Sequence, residues 1–181
     1  MNATSTTPTI RIPGNGRAFH LFDMFVVCKI SGDDTGGAYS VFEQTLPAGG
    51  VVPAHTIHEH EVALHLLEGT LMIRVGGQII QAEAGTHVRI PAHTVFGYEN
   101  CKNIPARFVF MVSPAGLEDL FEELDMLDQA DHVERIEAIR LLAKHGVDVP
   151  GLTDHSLQHL PPIEFNDLST PKELQANTVI W

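Results

Sequence analysis

Short apolar runs separated by turn signals dominate the first two thirds of this chain. LFDMFVVCKI, AYSVFEQTL, EVALHLLEG, TLMIRVGGQII, THVRIP and RFVFMVS follow one another between about Phe19 and Val112. Between them stand Gly32-Asp33-Asp34, Thr35-Gly36-Gly37, Pro47-Ala48-Gly49-Gly50, Gly76-Gly77 and Gly85. Runs of this length at a spacing of roughly ten residues predict strands of an all-β sandwich or barrel. Gly76-Gly77 predicts a tight hairpin, because both central residues of a type I′ turn need positive φ.

The period changes after Ser113. Leu117, Leu120, Phe121, Leu124 and Leu127 recur at helical spacing among acidic residues, with Ser113-Pro114 as the expected cap. A second helix is expected from Asp131 to His145, with Val133, Ile136, Ile139, Leu142 and Ala143 on its apolar side and Gly146 as its stop. The expected division is a barrel with an N-terminal arm over residues 1–114, helices over 115–147 and an extended tail over 148–181.

A net charge of −12 argues against nucleic acid or an anionic membrane as partner, since both demand basic patches. There is no apolar run of 18 residues, and no secretory signal is expected, because MNATSTTPTI lacks a basic segment followed by an apolar one. Two cysteines, Cys28 and Cys101, are too few for a disulfide framework. The expected location is the cytoplasm, and both thiols are expected to be inert.

Two stretches carry the chemistry. Gly50 to Gly69 reads GVVPAHTIHEHEVALHLLEG, and Gly85 to Asn100 reads GTHVRIPAHTVFGYEN. Together they resemble the two signature motifs of the cupin superfamily, G-x5-H-x-H-x3,4-E-x6-G and G-x5-P-x-G-x2-H-x3-N. TGGAYSVFEQTLPAGG, PARFVFMVSPAGLEDLFEEL and AKHGVDVPG look like the flanks of quercetin-dioxygenase-like bacterial monocupins. The resemblance implies a double-stranded β-helix, the jelly-roll barrel, with a C-terminal helical extension. It also implies a homodimer.

In that family three His and one Glu hold a metal inside the barrel. Here the first ligand position falls on His55, but the others fall on Ile57, Val62 and Phe96, and the loop glycine falls on His93. Those apolar side chains offer no lone pairs, and protein metal sites normally supply three or more ligands. The register therefore implies a barrel with no cofactor, in which Ile57, Val62, Leu64 and Phe96 line a pocket for a hydrophobic small molecule. His55 and His93 are the candidate acid/base residues, and Glu43 on the preceding strand is a candidate to orient His55 or touch substrate. The expected chemistry is a cyclisation, isomerisation, dehydration or pericyclic step, with secondary metabolism as the setting. Two alternatives stay open. His58-x-His60-x4-His65 repeats the ligand spacing three residues out of register. A divalent transition metal on His55, His58, His60 and His93 would make a quercetinase-like dioxygenase. A barrel that only encloses its ligand would be a non-catalytic binder. His65 is expected on the outer face.

Overall fold

The computed structural model describes residues 7–129 and 135–150. The expected tail beyond 150, with Trp181, and residues 1–6 of the arm lie outside the described residues, as does the start of the second helix.

Ten strands build the barrel: β1 Arg17–Leu21, β2 Met24–Ile30, β3 Ser40–Leu46, β4 Val51–Ile57, β5 Glu61–Glu68, β6 Thr70–Val75, β7 Gln78–Glu83, β8 His87–Ile90, β9 Val95–Glu99 and β10 Ala106–Ser113. An eleventh, β11 Val147–Asp148, arrives from the C-terminal side. One sheet runs β1-β2-β3-β10-β5-β8 and the other β11-β4-β9-β6-β7, with every pairing antiparallel. Alternation decides what faces inward. Phe42, Gln44 and Leu46, then Val62, Leu64 and Leu66, then Phe108, Phe110 and Val112 are all buried, while their neighbours in sequence are more exposed. Each large apolar side chain removed from water contributes about 1.5–3 kcal/mol, so these inner rows hold the two sheets together.

The Gly76-Gly77 hairpin forms as expected. Both residues have positive φ, 54° and 80°, and Val75 pairs with Gln78 across the turn. The run LFDMFVVCKI is not one strand. It breaks at Phe22, whose φ is 57°, into the β1–β2 hairpin. Gly32-Asp33-Asp34 is not a bare turn either. It opens a one-turn helix, α1 (Gly32–Thr35), because Ser31 and Asp34 cap it reciprocally.

Helix α2 spans Leu117–Asp128 and buries Leu117, Leu120, Phe121 and Leu124. Phe121 packs edge-on to Phe42 at 4.9 Å and against Phe19 at 6.2 Å. The expected cap is displaced. Ser113 still belongs to β10, pairs with Glu61 and donates its hydroxyl to the Ala38 carbonyl, so it cannot cap the helix. Gly116 takes the cap position, and Glu118 accepts from the backbone N–H groups of Gly116 and Gly32. Helix α3 spans Arg135–Lys144. Its buried residue is Ala138, with Leu141 and Leu142 against the core, while Ala143 is exposed. Gly146 stops it at φ 68°, and β11 then adds to the edge of β4.

Candidate active site

The site begins with a fault in a ladder. β4 and β9 pair Val51 with Glu99 and Val52 with Tyr98, and resume with His55 opposite Phe96. Pro53 and Ala54 thus stand across the single residue Gly97, which is a β-bulge. Regular alternation from inward-facing Val52 would send His55 outward. The extra residue reverses the parity and turns His55 in beside Phe96. Proline suits this place, because a bulge leaves it no ladder bond to donate. Glycine suits the facing place, because a Cβ on Gly97 would lie 2.9 Å from the Ala54 nitrogen and 3.0 Å from its Cα.

The bulge also fixes the imidazole. His55 Nδ1 lies 2.9 Å from the Pro53 carbonyl oxygen. A carbonyl only accepts, so the proton sits on Nδ1 and Nε2 keeps its lone pair. The ring lies 4.1 Å from the Phe96 ring, tilted by 53°. It keeps some accessible surface although it lies deep among protein atoms. Desolvation pulls its pKa below the ordinary histidine value, against a smaller opposing effect of the Pro53 hydrogen bond. The imidazole is therefore held neutral, with a free nitrogen able to take a proton.

That shift has a stability consequence. Between the depressed folded pKa and the ordinary value near 6.5, the unfolded chain binds the proton and the folded chain does not. Stability then rises with pH, and the contribution of neutral His55 is lost as pH falls through that window. Denaturant melts from pH 7.5 downward should show a fall that begins near pH 6.5 and is smaller in His55→Gln. An equal fall in both proteins would remove His55 as its source.

Ile57, Val62, Leu64 and Phe96 all join one buried core with facing side chains from both sheets. Two interior polar groups escaped the motif register. Tyr98 donates its hydroxyl to the Gln44 side-chain oxygen at 3.1 Å and so ties the two sheets together. Burial raises the Tyr98 pKa, so the phenol stays protonated. Both positions have inward parity, Gln44 between Phe42 and Leu46 and Tyr98 two residues beyond Phe96, and that parity is the signal that could have found them.

Three expected placements are corrected. Glu43 is on the outer face of β3, one residue off the inward parity, and pairs with Arg107 at 3.2 Å. Arg107 in turn reaches Glu68 at 2.5 Å, so Glu43 neither orients His55 nor faces the interior. His93 does not join His55. It sits exposed in the β8–β9 loop at φ 63°, its Nδ1 2.9 Å from Nδ1 of His58. The alternative donor set is dispersed. His55 is inside, His58 pairs with His93 and with Asp148 at 2.6 Å, and His60 is buried against the Pro114 carbonyl at 2.7 Å. Among the described residues no three His, Cys, Asp or Glu side chains are placed to hold one ion. Around His55 the donor chemistry of Ile57, Val62 and Phe96 does not fit a cupin metal. His65, as expected, is on the outer face, stacked on His87 at 3.8 Å.

Burial is the largest effect on the Cys28 thiol and pushes its pKa to about 11, which leaves it a poor nucleophile. Among the described residues, no helix is long and apolar enough to cross a membrane.

Residues 42–112 match the family model described as "Cupin domain". Over 69 residues the chain is 32% identical to the tetracenomycin polyketide synthase protein TcmJ of Streptomyces glaucescens, a match covering 35% of this chain and 46% of that protein. The chain thus spans about half the length of this curated relative. Among solved structures, KdgF from Halomonas sp. superposes with a TM-score of 0.56 at 13% identity, over 62% of this chain and 99% of that one. The polyketide cyclase RemF from Streptomyces resistomycificus superposes with a TM-score of 0.53 at 18% identity, over 59% and 80%. Identities this low speak for a shared barrel.

Proposed function

We propose that this chain, whose residues 42–112 match the cupin domain model, is a metal-independent cytoplasmic enzyme that rearranges a hydrophobic metabolite by proton transfer at His55. The observation that carries the proposal is the neutral His55 imidazole, locked in one tautomer by Pro53 and packed against the Phe96 ring. Nε2 would take a proton from an acidic C–H or O–H of the bound substrate and return it at another atom. That exchange is the core of a cyclisation, isomerisation or dehydration. Ile57, Phe96, Val62 and Leu64 would hold a flat or folded carbon skeleton in the reactive shape, and such positioning alone lowers barriers by several kcal/mol. The similarity to TcmJ and RemF favours polyketide-like carbon skeletons and a setting in secondary metabolism. A homodimer is part of the proposal.

Two measurements test this reading. Protein purified without a histidine tag should turn over a polyketide-type precursor, followed by mass spectrometry, and excess chelator should leave the rate unchanged. Elemental analysis of the same sample should find well under one equivalent of iron, nickel, copper, manganese or zinc. A stoichiometric ion whose removal abolishes turnover would replace this reading with the dioxygenase. Tight binding of such compounds with no turnover would favour the non-catalytic binder.

A further inference from the structure

We propose that His65 and His87 form a two-histidine chelate for a divalent transition-metal ion on the outer face of the barrel, bridging β5 to the edge strand β8. The two residues lie directly opposite each other across that ladder. Their rings stack at 3.8 Å between centroids, tilted by only 16°. His87 is exposed and His65 half-buried, so solvent reaches the pair. The chelate stands on the fold alone. It lies across the sheet from the core and does not depend on the enzyme reading above.

Hydrogen bonding leaves the right atoms free. His65 Nδ1 lies 3.3 Å from the Thr86 carbonyl oxygen, and His87 Nδ1 lies 3.1 Å from the Gly85 carbonyl oxygen. Carbonyls only accept, so each ring carries a proton on Nδ1 and offers its lone pair on Nε2. Metal-binding histidines generally show this arrangement. One nitrogen donates to a carbonyl or carboxylate, which fixes the tautomer and the ring, and the other binds the ion. Gly85 and Thr86 belong to one turn between β7 and β8. Two nearly parallel rings that present their Nδ1 edges to one turn carry their Nε2 atoms on one side. Metal–nitrogen bonds of about 2.0–2.1 Å at a tetrahedral angle place the two nitrogens about 3.3 Å apart. Rings already stacked at 3.8 Å reach that with a small splay.

The surroundings set the class of ion. Imidazole suits zinc, nickel and copper, whereas magnesium and calcium take oxygen ligands. On the same face the pair adjoins Ala63, Val109 and Arg89, and Arg89 is held by Glu61. Among the described residues no third His, Cys, Asp or Glu side chain joins the two rings. Water would fill the remaining positions. Protein sites normally supply three or more ligands, so a pair holds its ion reversibly and fills when free metal rises. The bound ion would brace the edge strand against its neighbour.

Nickel titration of the untagged full chain at pH 7.5, read by calorimetry and by the thermal midpoint, tests the chelate. One equivalent should bind per chain, and the midpoint should rise because the ion binds the folded chain preferentially. Magnesium at the same concentration should do neither. His87→Gln and His65→Gln should each weaken nickel binding at least tenfold, since losing a ligand costs no less than the roughly 10–100-fold that follows loss of a ligand's outer partner. His87 is exposed, so His87→Gln should melt like the wild type without metal, and a folding defect cannot mimic the loss. His58→Gln, in the other exposed histidine cluster, should bind nickel as the wild type does. Three results would each overturn the chelate and leave an adventitious ion only. These are His87→Gln binding within threefold of wild type, an equal loss in His58→Gln, and an unshifted wild-type midpoint at millimolar nickel.

Discussion

His55→Gln is expected to lower turnover by about 10²–10⁴, the usual contribution of a positioned acid or base. Glutamine nearly matches the length of histidine, and its amide can still donate to the Pro53 carbonyl, so the bulge keeps its hydrogen bond. What it lacks is a nitrogen lone pair that takes a proton. The loss should therefore fall on kcat at saturating substrate, with KM and thermal midpoint close to wild type. The wild-type kcat should also fall on the acid side as Nε2 becomes protonated, with a midpoint below the ordinary histidine value because burial depresses the pKa. That acid limb should be missing from the residual activity of the variant. A His55→Gln protein within threefold of wild type would leave the barrel as a shaped container and move the chemistry elsewhere.

The barrel was legible because its signals are local. Turn glycines and apolar alternation placed most of the strands, and Ile57, Val62 and Phe96, which Gly69 and Gly85 register to the motif positions, belong to the buried core. The failures share a cause. Glu43 and Gln44 are neighbours, and which of them faces inward depends on parity that a motif count does not carry across to β3. The partnership of His93 with His58 and Asp148 joins residues 35 and 90 positions apart, and β11 is too short to announce itself. Likewise, the spacing of His58 and His60 looked like a ligand run. The chain leaves β4 there, and the two rings diverge, one to Asp148 and one to Pro114.

The bulge that aims His55 was invisible for a different reason: it is a property of two strands at once. Gly97 reads as an ordinary small residue, yet it is the position on which the site's geometry rests. Gly97→Ala is expected to destabilise the fold by about 2–3 kcal/mol, in the range of overpacking against atoms that cannot move aside. The added methyl would meet the Ala54 nitrogen and Cα and the Pro53 carbonyl carbon, all backbone, at 2.9–3.0 Å. Relief requires β4 to lift away from β9 at the very residues that set the parity of His55. Activity should therefore drop more than stability alone explains, even well below the melting temperature. The thermal midpoint should fall by roughly 5–10 °C for a domain of this size. Gly77→Asn is the matched control. It also sits at a glycine, with φ of 80°, but its Cβ would meet nothing within 4 Å, and asparagine tolerates that backbone. Its midpoint and turnover should stay near wild type. A Gly97→Ala protein with an unshifted melt and unchanged kcat would mean that the strands yield freely there, and that the bulge does not hold His55 in place.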